Sequence, residues 1–247
     1  MSNKELTLTK THDYCKSKKP QLGVVLIHGI ASDSSTFEKA LHYLEDLDAL
    51  KNVRFITFDL LGSGKSLKSD ELNYDYEEQL TALNNSIKDL KLNVPLILVG
   101  HSLGTFIVTR YASTFGKEIS KLVLISPPVY TEADLDNPLF EKGMQAFKDA
   151  VSLKDRKILQ EKAFNNSMKN VVLDRKNYKV LSGLKTPAVL IYGAQDQFIS
   201  GYNIPALLKN NKEYLRAIET DGRHGVSQDK YYRLGEILEE DLNAENI

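Results

Sequence analysis

The sequence predicts an α/β fold, a mostly parallel sheet flanked by helices, and three observations carry that prediction. Short apolar runs bounded by turn residues alternate with longer segments of helical period. The runs are continuously apolar rather than alternating, as strands covered on both faces must be. A serine flanked by glycines, Gly100-His101-Ser102-Leu103-Gly104, stands directly between one such run and a helical segment.

Taken in order, residues 6–9 offer one N-terminal edge strand, followed by LGVVLI at 22–27 and a helical pattern over 36–47. The run VRFITF at 53–58 precedes a helix over 76–90. LILV at 96–99 leads into a helix over 103–114, and LVLI at 122–125 follows. AVLI at 188–191 and a strand-like run at 214–220 complete the sheet, and a helix over 230–242 ends the pattern. Strand and helix in repeated succession imply right-handed crossovers. One interval breaks the rhythm: from Pro127 to about Lys185 there are only polar and helical stretches, at 139–151 and 155–164. A long insertion between two strands of a compact α/β domain is usually a functional lid. The expected organisation is a core of residues 1–126 and 186–247 with a helical cap over 127–185.

Composition limits the partners. The 247 residues carry a formal net charge of −1, with 42% hydrophobic and 26% charged residues, an ordinary globular balance. No global field draws such a chain to nucleic acid or an anionic membrane, so a small molecule is the expected partner. No stretch approaches the roughly 20 apolar residues of a membrane span. Cys15, the one cysteine, rules out an intramolecular disulfide framework; with no signal-peptide pattern, a cytoplasmic location is expected. His, Cys, Asp and Glu show no metal-ligand spacing, and no metal or cofactor is expected. Gly62-Ser63-Gly64-Lys65-Ser66 imitates the tail of a phosphate-binding loop, but Asp59 stands where that motif needs glycine.

The chemistry centres on Ser102. A serine on a sharp strand-to-helix turn projects from the sheet edge, and its hydroxyl needs an adjacent base. Of the five histidines, His101 points away on such a turn, His42 lies on an amphipathic helix, and His28 belongs to a loop it would order. His224 remains, in a loop between the last strand and the last helix. Loops at the carboxyl ends of parallel strands are where α/β sheets place their sites. A third group must orient the base. Asp196 follows the strand at 188–191 and gives the chain order serine, acid, histidine, while Asp221, three residues before His224, is the competitor. The backbone N–H groups of Leu103 and of Ile30, in His28-Gly29-Ile30, are candidate donors to a developing oxyanion. The insertion contributes Tyr130, Phe140, Met144, Phe147, Phe164 and Met168 as candidates for apolar substrate contact.

Four stretches in this order, His28-Gly29, Asp59 to Ser66, Gly100 to Gly104, and Asp196 with His224, resemble the α/β-hydrolase family of small esterases, thioesterases and carbon–carbon-bond hydrolases. The resemblance runs from about residue 20 to 230 and implies a sheet of about eight strands with an acyl-enzyme at the serine. A carboxylic ester is the leading substrate class. A thioester, a carbon–carbon bond, or ligand sensing with little turnover are the alternatives, since fold and triad serve many chemistries.

Overall fold

The computed structural model describes residues 6–150, 160–198 and 201–244. Seven strands form one sheet in the order β1-β3-β2-β4-β5-β6-β7. They are β1 (Thr9–Tyr14), β2 (Leu22–Ile27), β3 (Val53–Asp59), β4 (Leu96–His101), β5 (Ile119–Ile125), β6 (Ala188–Gly193) and β7 (Leu215–Thr220). Only β1 runs antiparallel, along β3; the other pairs are parallel. The expectation of about eight strands is therefore corrected to seven among the described residues. The N-terminal strand is also displaced: it covers Thr9–Tyr14, not 6–9, while Leu6 and Leu8 are buried in the core.

All six residues of β2 are buried, and their alternation divides the core. Val25 and Ile27, with Leu98 of β4, face one layer. Val24 and Leu26, with Ile97 and Val99, face the other. Helices α1 (Glu38–Asp46) and the C-terminal Gln228–Ala244 supply Leu41, Leu44, Leu234 and Leu238 to the second layer. Helices α2 (Tyr76–Asp89) and α3 (Leu103–Phe115) supply Leu83, Phe106 and Ile107 to the first. Asp75 caps α2 by accepting the Glu78 N–H at 3.1 Å, a contribution of about 1 kcal/mol.

Between β5 and β6 the described residues form helices and no strand: α4 (Glu132–Leu135), α5 (Pro138–Ala150), α6 (Glu161–Ser167), which continues as a π-turn over Met168–Val172, and α7 (Asn177–Ser182). Residues 155–159 of the helix expected over 155–164 lie outside the described residues; the described helix there is Glu161–Ser167. Polar contacts tie this segment to the core. Tyr76 O–H donates to Asn177 Oδ1 at 2.6 Å, Arg110 pairs with Asp174 at 2.7 Å, and the Arg110 guanidinium lies 4.4 Å over the Tyr76 ring. Helix α8 (Ile204–Asn210) follows β6 and α9 is the C-terminal Gln228–Ala244. Among the described residues no helix is long and apolar enough to cross a membrane.

Candidate active site

The site forms where β4 ends. Ser102 takes φ 52° and ψ −118°, a left-handed conformation that strains a residue bearing a side chain. Three hydrogen bonds hold it there: Ser102 N–H to the Ile125 carbonyl at 2.9 Å, and Thr105 N–H and Oγ1–H to the Ser102 carbonyl at 2.9 and 2.6 Å. The flanking glycines are required by close approach. A Cβ on Gly100 would lie 2.5 Å from the Gly104 carbonyl oxygen, and one on Gly104 would collide with the Ile27 carbonyl. Helix α3 thus presses against β4 and β2, with Ser102 on the turn at its start, buried but bordering the cavity.

His224, in the loop after β7, brings Nε2 to 2.8 Å from Ser102 Oγ. Its Nδ1 lies 3.0 and 2.9 Å from the two carboxylate oxygens of Asp196, in the loop after β6. A carboxylate only accepts, so Nδ1 carries the proton and the Nε2 lone pair faces the serine hydroxyl. The Asp196 carboxyl is fully buried. Burial raises its pKa, but the hydrogen bond and charge of His224, the Phe198 N–H and the Lys230 charge outweigh that, holding it below the usual carboxylate range. Asp221 is exposed, and both imidazole nitrogens of His224 are engaged elsewhere.

The His28-Gly29-Ile30 loop faces the serine: a Cβ on Gly29 would lie 3.0 Å from Ser102 Cβ. His28 is buried, donates Nδ1–H to the Gly29 carbonyl at 2.7 Å and accepts the Leu60 N–H at 3.0 Å, so it orders the loop as a neutral ring. Burial lowers its pKa. Ile30 lines the cavity beside Ser102. Leu103 opens α3, where helix geometry leaves the first amides without intrahelical partners.

Over Ser102 lies a cavity of about 410 Å³, lined from the β5–β6 segment by Pro128, Tyr130, Met144, Phe147, Met168 and Val172. Among the described residues, no Lys, Arg, Asp or Glu lines it. Four of the six sequence candidates meet here. Phe140 and Phe164 stand one layer back, Phe140 edge-on to Tyr130 at 4.7 Å and Phe164 at 6.4 Å from Phe147.

One further residue, Phe198, joins the site without a signal in the sequence reading. Phe198 donates its N–H to Asp196 Oδ1 at 2.9 Å and sets its ring edge-on to both His224 and Phe147, each at 5.2 Å. Tyr130 O–H donates to the Phe198 carbonyl, which ties the β5–β6 segment to the Asp196 loop. His101 lines the same cavity with its ring 5.3 Å from that of His224, and donates Nε2–H to the His224 carbonyl at 2.8 Å. Burial first, then repulsion by His224, pushes its pKa down to about 3, so it is a neutral strut.

No group of three or more His, Cys, Asp or Glu among the described residues is arranged to hold a metal ion. The chain matches the family described as alpha/beta hydrolase fold over residues 24–174. It is 33% identical over 130 residues to the Arabidopsis thaliana protein named Probable lysophospholipase BODYGUARD 2, covering 52% of this chain and 27% of that protein. It is 24% identical over 214 residues to Lipase 1 of Psychrobacter immobilis, covering 75% and 66%. The fold is similar to an esterase from Exiguobacterium antarcticum, with a TM-score of 0.70, 21% identity and 94% of each chain covered. The chain thus spans about a quarter of the length of the plant relative. On a match that runs from within β2 to Asp174, late in the β5–β6 segment, elbow serine included, the chain belongs to the α/β-hydrolase fold family.

Proposed function

We propose that the protein is a serine hydrolase that cleaves carboxylic esters of small or medium, largely uncharged acyl groups. The observation that carries the reading is the contact of Ser102 Oγ with His224 Nε2 at 2.8 Å beneath a cavity with no charged residue among its described lining. In this reading Ser102 Oγ attacks the carbonyl while His224 Nε2 takes its proton, and Asp196 orients the ring and offsets the imidazolium charge. The N–H groups of Ile30 and Leu103 stabilise the oxyanion, each such donor being worth roughly 3–4 kcal/mol. His224 then protonates the leaving alcohol, and water, activated by the same base, releases the acid from Ser102.

The 127–185 segment is the cap in this proposal, closing over a core of 1–126 and 186–247. A cavity of about 410 Å³ falls within the usual range of small-ligand sites. An anionic acyl group would meet no cationic partner among the described lining residues, at a desolvation cost of several kcal/mol. The names of the relatives, a lysophospholipase and a lipase, point to the same bond class. The test is kcat/KM across p-nitrophenyl esters from acetyl to decanoyl, beside dicarboxylic half-esters and acyl-CoA thioesters of matched length. Neutral esters are expected to lead. A clear advantage of half-esters or of thioesters would overturn the substrate class.

A further inference from the structure

The reaction above leaves the placement of Lys230 unexplained. It is fully buried, in the first turn of α9. Both facts oppose it. An ammonium loses hydration on burial, and the positive end of a helix macrodipole disfavours a cation. An apolar side chain of similar length would fill the same space without either cost. Its three N–H bonds are all used: Nζ donates to Ser126 Oγ at 2.7 Å, to the Gly225 carbonyl at 3.0 Å and to the Arg223 carbonyl. None of these acceptors is a carboxylate.

The acceptors explain the placement. Arg223 and Gly225 are the residues immediately before and after His224, so one ammonium holds the backbone on both sides of the base. Ser126, the residue after β5, takes a left-handed conformation, φ 51°, and donates its N–H to the Ile191 carbonyl of β6 at 2.7 Å. Lys230 therefore pins the His224 loop to Ser126, the residue beside Ile125, whose carbonyl holds Ser102. His101 secures the same loop from the other side through the His224 carbonyl. The charges that face Lys230 are Asp196 and Asp229, which attract it, with His101 neutral on the far side. Its unshared charge thus lies toward the carboxylate that His224 needs ionised.

We propose that Lys230 is a positioning residue: by holding the carbonyls that flank His224, it fixes the imidazole at hydrogen-bond distance from Ser102. The proposal rests on the triad reading above. It does not line the cavity, so it acts on turnover rather than on substrate binding.

The experiment compares wild type, Lys230→Met and Ser126→Ala, with active sites counted by stoichiometric fluorophosphonate labelling and hydrolysis of p-nitrophenyl butyrate measured per labelled site. Displacing a catalytic group by about 1 Å costs on the order of 10²-fold, so kcat per labelled site in Lys230→Met is expected to fall by roughly that factor with KM within about twofold. Ser126→Ala, which removes one of three anchors, is expected to lose roughly tenfold. A merely structural lysine would lower the labelled fraction and leave kcat per site unchanged, and that result would overturn the proposal. Should Lys230→Met not fold, Ser126→Ala decides alone by the same reading. Wild type that turns over without labelling at Ser102 would instead bring down the triad reading, and this proposal with it.

Discussion

Replacing Asp196 by asparagine tests the electrostatic half of the site, because the structure dictates how the amide would sit. Phe198 N–H donates to Oδ1 at 2.9 Å, so the amide oxygen of Asp196→Asn takes that position and the NH₂ takes the place of Oδ2. Oδ2 makes the shorter contact to His224 Nδ1, 2.9 Å, and in the variant two donors would face each other there. The imidazole relieves the conflict by moving its proton to Nε2, where it can no longer accept from Ser102. Loss of the correct tautomer together with the countercharge is expected to lower kcat by on the order of 10³–10⁴, or about 4–5.5 kcal/mol at 1.36 kcal/mol per decade. The assay is hydrolysis of p-nitrophenyl butyrate at equal folded fraction, verified by circular dichroism, with Asp221→Asn alongside. Asp221 is exposed and its variant is expected to stay within a few-fold of wild type. If Asp196→Asn keeps a tenth of the activity while Asp221→Asn loses more, the assignment of the acid is wrong.

Three further outcomes follow from the packing around the site. Phe147→Ala removes a ring that lines the cavity opposite Phe198, and the preferred acyl group should lengthen by about two to four carbons, each buried methylene being worth about 0.8 kcal/mol; an unmoved chain-length profile in kcat/KM would refute this. His101 titrates at about 3 when folded and near 6.5 when unfolded, so between these values the unfolded chain binds the extra proton and stability falls as pH falls. The urea midpoint should therefore drop already between pH 7 and pH 5, above the range where carboxylates protonate, and a flat midpoint across that interval would count against a buried neutral His101. Gly104→Ala places a methyl group against the Ile27 carbonyl and should destabilise by about 1–3 kcal/mol or more while retracting Ser102; a thermal melt and labelling rate equal to wild type would show that the close approach is not needed.

The central sheet was legible because its strands are covered on both faces. LGVVLI and AVLI have no polar alternation to mislead, and the structure adds only flanking residues such as His101 and Gly193 at the strand ends. The edge strand was not legible for the opposite reason. TKTHDY is held by its ladder to β3 and by contacts such as Thr11 Oγ1 to Thr57 Oγ1 at 2.7 Å, not by an apolar run. The helix Ile204–Asn210 escaped because it is short and carries Pro205 in its first turn, which breaks any pattern read by period.

Within the candidate site, residues at motif spacing were readable and residues placed by tertiary contact were not. Ser102, Asp196 and His224 each sit one turn beyond a recognisable strand. Phe198 reaches His224 only because its own N–H caps Asp196, and Lys230 reads in sequence as one more polar position at the start of a helix. Phe140 and Phe164 share the aromatic pattern of the residues that do line the cavity; which ring faces inward is decided by the way α5 and α6 pack on the core.

The most direct measurement is the site of covalent modification by a fluorophosphonate probe, mapped by peptide mass spectrometry on wild type and Ser102→Ala. A hydroxyl held 2.8 Å from an imidazole nitrogen, on a strained turn beneath an apolar cavity, is expected to be the one serine that reacts stoichiometrically. The adduct should lie on the peptide carrying Ser102, and Ser102→Ala should lose both labelling and ester turnover. A stoichiometric adduct on any other serine, or full turnover in Ser102→Ala, would contradict the account.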